Sequence, residues 1–114
     1  THDVAQVAAS GALPVDYIGF GPIRDTSDKE TTDTAVGFEG LQSAFLHSEH
    51  PIIAIGGLER SDISTIRDAG AHGMAVIGAW LGPPGAPWDP DEAARKLGAM
   101  AATWAGLVAD AERL

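Results

Sequence analysis

Cysteine is absent from all 114 residues, which removes disulfides and thiolate metal sites and leaves the redox compartment unread. Cations are scarce: seven Lys and Arg stand against sixteen Asp and Glu, a formal charge of -9. That balance, with no basic cluster along the chain, argues against nucleic acid or an anionic membrane as partner. No apolar run approaches the roughly 20 residues that cross a bilayer. The opening Thr1-His2-Asp3 is neither a basic leader nor an apolar signal core, and a start without methionine points to a processed, excised or incomplete chain.

What is present suits one small globular domain, with 45% hydrophobic and 20% charged residues. Three short apolar strands are expected, at Asp16 to Phe20, Ile52 to Ile55 and Met74 to Ile77, each running into glycine: Gly21, Gly56-Gly57 and Gly78. Helical spacing separates them. Val4, Val7 and Ala8 mark a helix over 3–10 stopped by Gly11, and Phe38, Leu41, Phe45 and Leu46 mark a second. Ser61 or Asp62 caps a third, with Ile63 and Ile66 inward and Gly70 as its stop. After the rigid, proline-rich segment LGPPGAPWD, Asp89-Pro90-Asp91-Glu92 starts a long amphipathic helix carrying Ala93, Leu97, Met100, Trp104, Leu107 and Val108. Strands alternating with helices predict a parallel α/β sheet.

Parallel strands present chemistry from the loops at their carboxyl ends. DYIGFGPIRDTSDK is a strand delivering a loop of about sixteen residues, long for a compact domain, rich in hydroxyls and carrying Lys29. Gly57 and Gly78 would let an anion approach main-chain amides on the same face. The blander alternatives are tight turns for the glycines, charge balance with Asp25, Asp28 and Glu30 for Lys29, and a local hydroxyl turn for Thr26 and Ser27. His2, His47, His50 and His72 lack metal-ligand spacing, and Trp80 and Trp88 read as packing residues.

Three strings, DYIGFGPIRDTSDK, PIIAIGGL at 51–58 and AGAHGMAVIGA at 69–79, together resemble the carboxyl-terminal half of thiamine phosphate synthase, a family that shares its (β/α)8 barrel with thiazole tautomerase relatives. PDEAARKL is similar to the family's closing helix, and Gly21-Pro22 resembles the synthase branch. The resemblance implies a transferase joining a pyrimidine methyl pyrophosphate to a thiazole phosphate with release of pyrophosphate. It implies a cytoplasmic enzyme of thiamine biosynthesis, with Mg²⁺ on the pyrophosphate and the metal ligands outside this chain. By the same resemblance Lys29 is the catalytic, pyrophosphate-contacting lysine. Thr26, Ser27 and Asp28 match a Thr-x-Thr loop beside the thiazole phosphate, Gly57 matches the second glycine of a Gly-Gly turn, and Ile77-Gly78 an apolar-Ser pair.

The departures are Asp28 for the second threonine and Gly78 for the serine. A carboxylate beside phosphate repels it unless Mg²⁺ or a proton intervenes. The family's Gln-x-Arg-x-Lys strand and Asn-Asp pair have no counterpart here, and three strands do not close an eight-stranded barrel. The expected partner is therefore the missing amino-terminal half-barrel, or a second copy. Activity is expected only with that half restored. The alternatives are a non-catalytic phosphate-binding or regulatory module and a self-associating half-barrel.

Overall fold

Alternation of large apolar and small or polar residues gives a strand one face to bury, and here the buried face of a three-stranded sheet is covered by helices. The computed structural model describes residues 1–25, 34–82 and 85–112, the side chains of 110–112 excepted. In chain order these form α1 (Val4–Ser10), β1 (Ile18–Phe20), α2 (Gly37–His47), β2 (Ile52–Ile55), a 3-10 turn (Arg60–Asp62), α3 (Ile63–Asp68), β3 (Gly73–Ala75), α4 (Gly78–Leu81) and α5 (Pro90–Glu112). The sheet is wholly parallel in the order β1-β2-β3, with Ile18 opposite Ile52, Phe20 opposite Ala54, and Ile55 opposite Ala75. This is the expected α/β arrangement of parallel strands alternating with helices.

Ile18, Phe20, Ile52 and Ala54 lie on the buried face, in one core with Val7 of α1, Leu41 and Ala44 of α2, and Ile66 of α3. Each large side chain there contributes about 1.5–3 kcal/mol by leaving water. The opposite face is open. Tyr17 is 62% and Ile55 43% exposed, and Gly19 is exposed between them. Parallel sheets are ordinarily covered on both faces, so this one presents an unpartnered inner surface. At the outer edge of β1, the Thr1 amino group donates to the Gly19 carbonyl at 2.7 Å and the Gly21 amide donates to the Thr1 carbonyl at 3.2 Å. Thr1 thus occupies a parallel ladder position beside Phe20.

Several boundaries differ from the sequence expectation. β1 begins at Ile18, where pairing with Ile52 starts and the Ile18 amide donates to the Pro51 carbonyl at 3.0 Å, and Tyr17 lies before the ladder. β3 spans Gly73–Ala75, so only β1 and β2 run directly into glycine; Val76 and Ile77 intervene before Gly78. Gly78 opens α4, a short helix hidden from the sequence reading by the prolines that follow. In α2 the buried stripe uses Leu41 and Ala44, while Leu46 is 74% exposed. Ala8 is likewise exposed, and Gly11 has ordinary right-handed geometry, so α1 ends without needing a glycine. The helix starts are better matched. Asp89 accepts the Asp91 and Glu92 amides at 3.1 and 3.2 Å at the head of α5, and Gly70 terminates the α3 segment with φ of 103°. Among the described residues no helix is long and apolar enough to cross a membrane.

Candidate functional site

The parallel order places the carboxyl ends of β1, β2 and β3 side by side, and the chain leaving β1 folds across the end of β2. After the cis Gly21–Pro22 peptide, the Ile23 amide donates to the Ile55 carbonyl and the Arg24 amide to the Gly56 carbonyl, each at 3.0 Å. This close passage explains two glycines. A Cβ on Gly21 would lie 2.0 Å from the Ile55 oxygen, and one on Gly56 would lie 2.5 Å from the Pro22 Cα. Gly57 follows with φ of 68°, and a Cβ there would meet the Arg24 Cβ at 2.8 Å and the Asp25 oxygen at 3.1 Å. Packing and backbone conformation therefore already require glycine at 56 and 57.

The stem of the long loop is pinned by a side-chain clamp. Arg24 Nη2 donates to Asp62 Oδ1 at 2.7 Å, and Nη1 to Asp62 Oδ2 in the bidentate arrangement that matches guanidinium to carboxylate. Nη1 also reaches the Gly57 carbonyl at 3.3 Å, and the guanidinium lies 5.1 Å from the centre of the Phe38 ring. Asp62 Oδ2 accepts the Glu59 amide at 2.9 Å, while the Glu59 carboxylate accepts the Asp62 amide, a reciprocal box that starts the 3-10 turn. Burial pushes the Asp62 carboxyl up, but the hydrogen bonds from Arg24 and the Glu59 amide outweigh it and hold it below the usual carboxylate range. The hydrogen bond to Asp62 raises Arg24 in turn.

Neither clamp residue stands out in the sequence as part of a site: Asp62 reads as a helix cap and Arg24 as loop. The Glu59-x-x-Asp62 spacing was the available local signal. Of the residues expected to bind phosphate, Gly57, Ile77 and Gly78 gather at the ends of adjacent strands and are all exposed. Among the described residues, none of the backbone bonds that close these turns uses the amide of Gly57 or Gly78. Thr26, Ser27, Asp28 and Lys29 lie outside the described residues, although Asp25, immediately before them, is against Gly57. His47 and His50 make structural contacts to main-chain carbonyls. His47 Nδ1 is 2.8 Å from the Ser43 carbonyl, and His50 Nε2 3.0 Å from that of Ser10. Trp80 and Trp88 pack edge to face at 5.8 Å, in keeping with a structural role.

Residues 1–80 match the family profile described as thiamine monophosphate synthase. The chain belongs to that family. Among curated relatives, the thiamine-phosphate synthase of Azorhizobium caulinodans is 40% identical over 92 residues, covering 81% of this chain and 42% of the relative. That of Chlamydia caviae is 38% identical over 79 residues, covering 69% and 37%. Among solved structures, thiamine phosphate pyrophosphorylase from Pyrococcus furiosus superposes with a TM-score of 0.68 at 24% identity, covering 88% of this chain and 45% of that one. Its counterpart from Bacteroides thetaiotaomicron gives 0.60 at 19% identity, covering 88% and 48%. The chain spans less than half the length of these relatives, and the likeness to the solved structures is one of fold.

Proposed function

We propose that this chain supplies the carboxyl-terminal, phosphate-binding part of a thiamine phosphate synthase-like transferase. The reaction joins the carbon of a pyrimidine methyl pyrophosphate to the nitrogen of a thiazole phosphate and releases pyrophosphate. The observation that carries this reading is the family match over residues 1–80, which spans the strand ends bearing Gly57 and Gly78. Departure of pyrophosphate from a benzylic-type carbon needs stabilisation of the leaving group rather than a strong base, and cations with main-chain amides suit that demand.

In this reading Lys29 contacts the pyrophosphate, and the amides of Gly57 and Gly78 hold the thiazole phosphate beside Thr26, Ser27 and Ile77. The Arg24–Asp62 clamp fixes where the loop departs from β1. Mg²⁺ is the metal that the family resemblance implies for the pyrophosphate. Among the described residues no three His, Asp or Glu side chains converge to hold one, so no metal role is assigned to them. The open sheet face, with Tyr17 and Ile55 exposed, favours completion by the amino-terminal half-barrel.

The test is reconstitution. With Mg²⁺, pyrimidine pyrophosphate and thiazole phosphate, the isolated chain is expected to yield no thiamine phosphate, and joined to the amino-terminal half of a relative it is expected to turn over. Lys29→Ala should then abolish turnover while leaving thermal stability unchanged. Turnover by the isolated chain, or full activity of the reconstituted Lys29→Ala protein, refutes the reading.

A further inference from the structure

The ladder that Thr1 forms on the outer edge of β1 is continued by a side chain. Once the Thr1 amino group has donated to the Gly19 carbonyl and the Gly21 amide to the Thr1 carbonyl, the parallel pattern calls next for a donor from residue 3 to the Gly21 carbonyl. Asp3 does not supply it. It caps α1 instead, accepting the Gln6 amide at 2.8 Å, while the His2 amide is tied to Gln6 Oε1 at 2.7 Å. The His2 ring takes the vacant rung, with Nδ1 2.9 Å from the Gly21 carbonyl oxygen. A carbonyl only accepts, so Nδ1 carries the proton.

Gly21 is also where the chain passes closest to the end of β2. Just beyond Pro22, the Ile23 and Arg24 amides donate to the Ile55 and Gly56 carbonyls at 3.0 Å, and Arg24 Nη1 reaches the Gly57 carbonyl at 3.3 Å. The Gly21 peptide therefore lies between His2 on its outer flank and the Gly56-Gly57 turn on its inner one. A displaced Gly21 carbonyl would carry with it the two residues that brace that turn.

We propose that His2 is a positioning residue for the transferase reaction: by holding the Gly21 carbonyl it fixes the chain against the Gly56-Gly57 turn, and so the direction of the Gly57 amide. The inference rests on the reading in which that amide holds the thiazole phosphate. It gives His2 neither contact with substrate nor a proton to transfer.

Two substitutions separate the hydrogen bond from the ring. Asn carries its amide nitrogen as many bonds from Cβ as Nδ1 is, so His2→Asn keeps the donor, whereas His2→Phe keeps a ring and loses the donor. In the chain joined to the amino-terminal half of a relative, His2→Phe is expected to raise KM for thiazole phosphate about tenfold, with kcat and KM for the pyrimidine pyrophosphate within about twofold of the parent. His2→Asn should stay within about threefold of the parent in all of them. Loss of folded protein would lower kcat and leave both KM values alone, so a fall in kcat by itself overturns the proposal. So does an unchanged KM in His2→Phe, or an equal rise in His2→Asn. If the parent assembly does not turn over, the transferase reading fails, and the full chain without its added half decides on His2. At about pH 8 the imidazole proton should then sit on Nδ1 in long-range proton–nitrogen spectra, and the Gly57 amide signal should move in His2→Phe and return in His2→Asn. A proton on Nε2, or a Gly57 amide unmoved by His2→Phe, overturns it.

Discussion

Removing Arg24 alone should destabilise the fold more than removing both partners of the Arg24–Asp62 clamp. Asp62 has a side chain only 7% exposed and accepts two hydrogen bonds from Arg24 and one from the Glu59 amide. Breaking a buried pair by deleting one partner costs about 3–5 kcal/mol, because the other charge is left without compensation. Arg24 is 45% exposed, and its removal would let water reach part of the carboxylate, so the cost of Arg24→Met at pH 7 should be nearer 2 kcal/mol. Asp62→Asn leaves a guanidinium that water can solvate and keeps an acceptor for the Glu59 amide, which suggests about 1 kcal/mol. The double variant Arg24→Met/Asp62→Asn should then be less destabilised than Arg24→Met, giving a coupling of about 1–2 kcal/mol in a denaturant-melt cycle. The pH dependence carries a sign as well. Because Asp62 is held below its ordinary value, its stabilisation is complete above about pH 4 and fades as pH falls through the lowered value. In Arg24→Met burial dominates and raises the carboxyl, so that variant should lose part of its deficit as the solution is acidified. Single-variant costs that add within about 0.3 kcal/mol, or an Arg24→Met cost that does not change with pH, would refute this account.

Other substitutions separate glycines that the fold needs from those it tolerates. Gly56→Ala combines φ of 105° with a Cβ 2.5 Å from the Pro22 Cα, and should cost more than about 2 kcal/mol or prevent folding, read by thermal melting. Gly98→Ala, at an exposed position of α5 with open space around its Cβ, should instead raise stability by about 0.5–1 kcal/mol. Asp89→Ala removes the acceptor for two amides at the start of α5 and should cost about 1 kcal/mol, with helix content lost first at that end by amide exchange.

The periodic signals in the sequence located most elements because they reflect which face is buried. β2 was legible to the residue, bounded by Pro51 and Gly56. β3 was displaced, since a four-residue apolar run in Met74 to Ile77 carries no cue for where pairing to β2 stops. In α2, Phe45 kept helical spacing with Leu41 but is 44% exposed, its ring resting over Gly70, where an added Cβ would sit 2.3 Å from the Phe45 Cγ. That placement depends on a segment 25 positions away and has no local signature. The same holds for the candidate site. Gly57 and Gly78 were visible because glycine after a strand is a local pattern, whereas the Arg24–Asp62 pair joins residues 38 apart and exists only once β1 and β2 are neighbours.

Glycine at a strand end is weaker evidence for a ligand than the pattern first suggests. Gly21 and Gly56 are glycine because the chain leaving β1 touches the end of β2, and Gly57 because its φ is positive; all three would be needed in a protein that bound nothing. What distinguishes a phosphate cradle is donors left over after the turn has closed. Here the closing bonds run from Ile23 and Arg24 to Ile55 and Gly56, and the clamp from Arg24 to Asp62 and the Gly57 carbonyl, all on the acceptor side of the Gly-Gly turn. The Gly57 and Gly78 amides stand outside that set, at the ends of adjacent strands on the side from which the Lys29 loop departs. The case for a phosphate at Gly57 therefore rests on where the hydrogen bonds of the turn go, more than on its lack of a side chain.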